Sequence, residues 1–186
     1  MPKKITIIPP EDGLFDAERE EFIHIKPQTI VLEHSLVSLS KWESKWKIPY
    51  LTKDAKTPDQ VIDYIKCMTI TQNVDPNVYL FLTQENIQDI ITYIQDPMTA
   101  TTFTNRHPGA GSRISNQVIT SELIYYWMIS FGIPMNCEKW HLERLMTLIK
   151  IFDIENQPKK PMSKSAIYAQ NKALNAANRA RFKSRG

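Results

Sequence analysis

The C-terminal 30 residues cannot contribute much to a hydrophobic core. This restriction limits the possible folds more than any other feature of the sequence. From Gln157 to Gly186 the chain holds eight Lys or Arg, no Asp or Glu, and few large apolar residues. Such a segment buries too little apolar surface to offset the entropy lost on ordering it. The core must therefore form within residues 1–156, where the 42% hydrophobic content of the chain suffices for one domain.

Charge divides the chain in the same way. Of the 23 Lys and Arg, eight lie in residues 157–186, called the tail, and 15 lie in residues 1–156, called the body. All 20 Asp and Glu belong to the body, so the body has a net charge of about −5 and the tail +8. This asymmetry predicts that the tail favours a polyanion or an acidic protein surface.

Strand signals are confined to the N-terminal part of the chain. Residues 4–8, 21–26 and 28–39 are rich in Ile, Val and Thr at partly alternating positions. The pattern predicts a small antiparallel sheet or hairpin that turns at Lys26-Pro27-Gln28.

Helix signals follow. Ser40 and Glu43 have the Ser-x-x-Glu spacing of a capping box, which predicts that a helix begins at Ser40. Thr57 followed by Pro58 predicts a helix to about residue 68, and Thr83 predicts one that ends at Asp96. A shorter helical segment is expected over residues 75–82.

The second half of the body predicts a helix pair. Residues 118–131 are apolar on nearly all sides, as in a central core helix, and Asn136 is expected to cap an antiparallel partner. The glycine-containing segment 106–113 has no apolar period and predicts a loop before this pair.

Together these patterns predict a mainly α fold: a compact helical domain with a small N-terminal antiparallel β element and an extended or helical basic C-terminal tail. We assign residues 1–39 to a β or extended segment packed on the core, and 40–156 to the helical core domain. Residues 157–186, the tail, are expected to begin with a linker, after which Ser163 or Ser165 caps a helix to about Phe182.

Residues typical of catalysis are scattered. His24, His34 and His107 are far apart in sequence. Cys137 and His141, four residues apart on a predicted helix, have no second Cys/His pair to complete a metal site. We interpret them as a buried thiol beside a hydrogen-bonded histidine, because burial raises a thiol pKa and makes it inert as a nucleophile.

The segment around His107 lacks the Lys-Ser or Lys-Thr of a phosphate-binding loop. We therefore expect no catalytic residue, no metal site, no cofactor and no enzymatic activity. The longest apolar run is far shorter than the roughly 20 residues of a membrane span, so no spanning segment is expected. Pro9-Pro10 interrupts the N-terminal apolar stretch before a secretory signal could form, so a cytoplasmic location is expected.

The tail supplies the candidate partner-binding residues, which are basic except for one aromatic side chain. They are Lys164, Lys172, Arg179, Arg181, Phe182, Lys183 and Arg185. A protein partner is the preferred interpretation, because the apolar stripe of the predicted tail helix is thin and suits folding on contact. Nucleic acid is less favoured, since only Tyr168 and Phe182 offer stacking surfaces. A solubilising tail without a specific partner is the third interpretation.

Six stretches of the sequence resemble a group of tailed-bacteriophage proteins of similar length, associated with the tail gene cluster and with tail assembly chaperones. They are residues 32–46 (LEHSLVSLSKWESKW), 63–69 (DYIKCMT), 97–101 (PMTAT), 119–128 (ITSELIYYWM), 139–142 (KWHL) and 171–182 (NKALNAANRARF). The resemblance covers the chain from about Phe22 to its end.

The resemblance implies a non-enzymatic assembly factor that coats the tape-measure protein in the host cytoplasm until tail-tube subunits displace it. Tape measure and tube subunits are the implied partners, and self-association is compatible with this role. Covering the apolar stripes of a long amphipathic helix requires a stoichiometric binder with helical grooves instead of an active site. The alternatives are a structural component of the virion, such as a tail, connector or baseplate protein, and a nucleic-acid-binding regulator. The expected location is the host cytoplasm, with the virion as the alternative.

Overall fold

The computed structural model of the chain describes residues 2–17, 20–103, 118–156 and 164–182. The fold is mainly α with a small N-terminal antiparallel β element, which confirms the predicted class. The strands are β1 (Lys3–Ile7), β2 (Leu14–Asp16), β3 (Glu21–Ile23) and β4 (Gln28–Leu32). The α-helices are α1 (Leu36–Trp46), α2 (Pro58–Met68), α3 (Gln84–Gln95), α4 (Ser121–Ser130), α5 (Leu142–Asn156) and α6 (Lys164–Phe182). Two 3-10 helices span Pro76–Phe81 and Met135–Lys139.

Internal contacts divide the chain into two compact units, residues 1–154 and residues 155–186. The second unit contains α6. Among the described residues, no helix is long and apolar enough to span a membrane.

The strands pair differently from the prediction. We expected a hairpin turning at Lys26-Pro27-Gln28, but β4 pairs with β1 in an antiparallel ladder in which Ile5 is opposite Ile30. The β2–β3 hairpin is inserted between these two strands. Burial explains the outcome, because this register places four apolar side chains of the β1–β4 ladder together in the core: Ile5, Ile7, Ile30 and Leu32.

Helix α1 begins at Leu36 and not at Ser40, so the predicted capping box at Ser40 and Glu43 is wrong. Ser35 is the N-cap: its hydroxyl accepts from the Ser38 backbone N–H, and the Ser38 hydroxyl accepts from the Ser35 N–H. The earlier start is favoured because it places Leu36, fully buried, on the inward face of the helix.

Glu43 therefore has a different role from a local cap. Its side chain is 94% buried, and its carboxylate oxygens accept backbone N–H groups of Tyr50, at 2.8 Å, and Ser121, at 2.7 Å. Ser121 is the first residue of α4. The backbone N–H groups in the first turn of a helix have no acceptor within the helix. Glu43 thus joins α1 to a helix start 78 residues away.

The starts of α2 and α3 confirm the predicted caps. Thr57 and Gln60 form a reciprocal capping box with Pro58 at the first turn, and Thr83 forms one with Asn86. Helix α2 packs beside α1, where the Trp42 indole N–H donates to the carbonyl of Gln60 at 2.9 Å.

The predicted helix pair in the second half is only partly correct. Helix α4 is shorter than residues 118–131 and is buried on one side, since Tyr126 is 63% and Ile129 69% exposed. Asn136 does not cap the following helix: it lies in a 3-10 helix, and α5 begins at Leu142. The proline at 134 precedes that 3-10 turn, and the chain leaves it at Trp140 in an extended conformation.

The buried residues form two hydrophobic clusters. One contains the β1–β4 ladder, α2, the first 3-10 helix and Ile90 of α3, and the other contains α4, the second 3-10 helix and α5. Helix α1 contributes to both, with Trp42 in the first cluster and Leu36 and Leu39 in the second. Both clusters depend on one helix that lies between them.

We expect Glu43→Ala to destabilise the body by about 2–4 kcal/mol, because it leaves two N–H groups without an acceptor. Chemical denaturation measures the change in the free energy of unfolding. Glu155→Ala, at an exposed position, is the matched control, and its effect should stay within about 0.5 kcal/mol. An equal effect of the two substitutions would show that the Glu43 contacts contribute nothing to stability.

Candidate partner-binding site

Helix α6 carries most of the predicted partner-binding residues. Lys172, Arg179, Arg181 and Phe182 lie on this helix with exposed side chains, and Lys164 is its first residue. Lys183 and Arg185 lie outside the described residues, as does the predicted linker. The predicted helix to Phe182 is confirmed.

The large apolar side chains of α6 are all exposed. Ile167 is 44%, Leu174 59% and Phe182 69% exposed, and Tyr168 is 73% exposed. Ile167 and Leu174 are seven residues apart and therefore lie on one helix face. The helix presents an apolar row beside basic side chains, an arrangement typical of helices that bind a partner.

A second surface, missed in the sequence, is an apolar groove bordered by α2 and α3. Its volume is 280 Å³. Its aliphatic walls are formed by Val61, Ile65, Ile87, Ile90, Ile91 and Ile94. The isoleucines of α3 are not all covered by the body: Ile91 remains 36% exposed, and Ile87 and Ile94 are only half-buried.

Aromatic stacking and one lysine shape the end of this groove. Tyr50 stacks on Tyr64 with ring centroids 3.9 Å apart, and burial raises the pKa of both hydroxyls. The Lys56 ammonium lies 5.4 Å from the Tyr50 ring centroid and donates to the carbonyl of Thr52 at 3.0 Å. The groove is thus apolar along its length, with a positive charge at its rim.

Two histidines that are distant in sequence meet in the interior. The rings of His34 and His141 have centroids 5.0 Å apart. The Tyr64 hydroxyl and His34 Nδ1 share a hydrogen bond of 2.7 Å, and His141 Nε2 lies 3.0 Å from the carbonyl oxygen of Tyr93. His34 is 2% and His141 5% exposed, so a substrate cannot reach either ring without rearrangement of the body.

Burial favours the neutral form of both imidazoles. It lowers the pKa of His34 to about 3, an effect reinforced by the neighbouring His141. Burial also lowers the pKa of His141, although the carbonyl of Tyr93 opposes this by accepting its N–H. In that neutral form His141 Nδ1 is an acceptor, and no described residue donates to it. The Tyr93 hydroxyl also accepts the His34 backbone N–H. His34, which lies just before α1, is therefore hydrogen-bonded to Tyr64 of α2 and to Tyr93 of α3.

The Cys137 and His141 pair does not have the predicted helical geometry. Cys137 lies in a 3-10 helix that ends at Lys139, so no continuous helix turn brings the two residues to one face. Cys137 is 5% exposed, as expected for a structural thiol. Across the described ranges, no group of three or more His, Cys, Asp or Glu has an arrangement that could hold a metal ion. The segment around His107 lies outside those ranges.

Comparison with known proteins finds no match: the chain matches no protein-family model, no curated protein and no solved structure.

The buried histidines predict a loss of stability in weak acid. An unfolded chain has histidine pKa values near 6.5, above the folded value of about 3 for His34, so below about pH 6.5 the unfolded state binds an additional proton. The free energy of unfolding should fall by up to about 1.4 kcal/mol per pH unit from this group. Urea unfolding between pH 7 and about pH 5 measures the slope, before most carboxylates titrate.

His34→Asn should reduce that slope, since it removes the titrating group, whereas His24→Asn, at an exposed position, should not. Identical slopes for the wild type and His34→Asn would contradict this assignment.

Proposed function

We propose that this chain is a non-enzymatic bacteriophage tail assembly protein, a chaperone that binds the tape-measure protein during tail morphogenesis. The observation that carries the proposal is the apolar groove between α2 and α3. The six stretches of sequence that resemble phage tail-cluster proteins supply the biological setting. The groove supplies the means of holding a helical client.

The dimensions and lining of the groove suit side chains from an amphipathic helix. A volume of 280 Å³ lies just below the range for small-molecule pockets, about 300–1,000 Å³, and accommodates a few aliphatic side chains. Helix-in-groove recognition uses such anchors, spaced three or four residues apart, on the apolar face of the bound helix. A tape measure presents these anchors repeatedly, so many copies of the chaperone can cover it.

Helix α6 has a separate role in this proposal. Its exposed basic side chains, among them Lys172, Arg179 and Arg181, attract acidic surfaces, and its exposed apolar row can dock after the initial attraction. Tail-tube subunits or acidic stretches of the tape measure are the proposed partners of α6. The groove then retains the client while the tail engages the component that replaces the chaperone.

A structural component of the virion is the second candidate. The β2–β3 hairpin favours it, because β2 and β3 form a separate two-stranded sheet, and the outer edge of such a sheet can add to the sheet of a neighbouring subunit.

Mass spectrometry of infected-cell lysates and purified particles distinguishes the two candidates. A chaperone is expected in the lysate and absent from finished particles of the phage that encodes it. A fixed copy number in the particles would overturn the chaperone proposal and favour the structural one.

The groove is tested by Ile91→Asp, which places a charge on a partly exposed wall without removing a fully buried side chain. We expect the variant to stay folded and to keep about tenfold less co-expressed tape-measure protein soluble, because an unpaired carboxylate cannot face apolar anchors without a desolvation cost. Ile129→Asp, on the exposed face of α4, is the matched control and should behave as the wild type. Equal loss in both variants, or in neither, would contradict groove binding.

A further inference from the structure

The negative charge of the body is concentrated in one short segment. The described residues 11–17 and 20–23, which contain β2 and β3, hold five Asp or Glu and no Lys or Arg, which gives a net charge of −5. The rest of the body has 15 acidic and 15 basic residues and is therefore neutral overall. The chain thus has two charged regions: these residues, called the acidic hairpin, and the tail.

The acidic hairpin displays an aromatic pair. Phe15 on β2 is directly opposite Phe22 on β3, with ring centroids 5.2 Å apart, and the two side chains are 53% and 57% exposed. Two strands of three residues gain little stability from each other in water, so exposed aromatic residues on such a hairpin suit a surface that a partner covers.

The backbone holds this hairpin in a defined shape. Gly13 has a φ of +72°, and a Cβ at this position would lie 2.6 Å from the carbonyl oxygen of Ile23. Only glycine permits this close approach of the first strand to the end of the second. This approach fixes the start of β2 beside the end of β3, the two strands that carry the aromatic pair.

The C-terminal half of α6 has the complementary chemistry. Leu174 and Phe182 are 59% and 69% exposed, and Arg179 and Arg181 lie between them in sequence. The tail contains no acidic residue.

We propose that the acidic hairpin of one copy binds the C-terminal half of α6 of a second copy, with Phe15 and Phe22 packed on Leu174 and Phe182. The acidic side chains of the hairpin then surround the arginines of the helix. Each copy carries both surfaces, and both are exposed in the single chain. The contact is heterologous, so it joins copies head to tail into rings or open rows.

Sedimentation velocity of the full chain over a range of concentrations tests this association. We expect species larger than one chain at about 50 mM salt and dissociation at about 500 mM, because screening weakens attraction between exposed charges. A single-chain mass at every concentration in low salt would overturn the proposal.

Two variants identify the surfaces. Phe15→Ser with Phe22→Ser alters the hairpin, and Arg179→Glu with Arg181→Glu alters the helix. Each double variant alone should associate about tenfold more weakly than the wild type or not at all. A mixture of the two variants retains one intact surface of each kind and should form a 1:1 complex that grows no further. Monomers only in the mixture would overturn the proposal, as would wild-type association of either variant alone.

Tyr126→Ser with Ile129→Ser is the matched control, since it removes a similar amount of exposed apolar surface from α4. It should associate as the wild type does, whereas loss of association in this control would assign the contact to general surface hydrophobicity and overturn the proposal. Circular dichroism verifies that each variant keeps the helical fold. These measurements need only the purified chain, so their outcome is independent of whether the protein binds a tape measure.

Discussion

The buried carboxylate of Glu43 is the interaction on which the arrangement of the body depends. It holds the backbone N–H of Tyr50, just after α1, and that of Ser121, at the start of α4. A buried carboxylate is tolerated only when its oxygens have partners, so the position of each helix constrains the other. Helix α1 supplies Glu43 and also side chains to both hydrophobic clusters, and the two halves of the core are consequently organised around it.

Local chemistry in the sequence predicts some of these features and not others. Thr57 and Thr83 cap helices through residues three positions away, so their patterns suffice to predict the starts of α2 and α3. Ser35 and Ser40 both precede plausible helical segments, and the choice between them depends on tertiary burial of Leu36. The pairing of β1 with β4, with a hairpin inserted, is likewise decided by which faces reach the core.

The candidate surfaces were predictable to different degrees. The basic tail and its helix follow from charge and composition, which need no tertiary information. The isoleucines of α3 recur in the sequence with helical spacing, at positions 87, 90, 91 and 94. This spacing does not reveal that Ile91 remains partly exposed beside α2. The contact between His34 and His141 was also hidden, because it joins the segment before α1 to the residue before α5. The aromatic pair of the acidic hairpin could not be predicted, because the sequence does not show that Phe15 and Phe22 are opposite each other.

The shared position of α1 has a consequence for how the body opens. A region that exchanges its amide hydrogens through local fluctuations must separate from its neighbours without disrupting the rest of the fold. Helix α1 cannot do so, because release of Trp42 opens one cluster while Leu36 and Leu39 remain held by the other. Its amides exchange only when both clusters open, which makes α1 part of the slowest-exchanging unit and couples the two halves of the body into one cooperative transition.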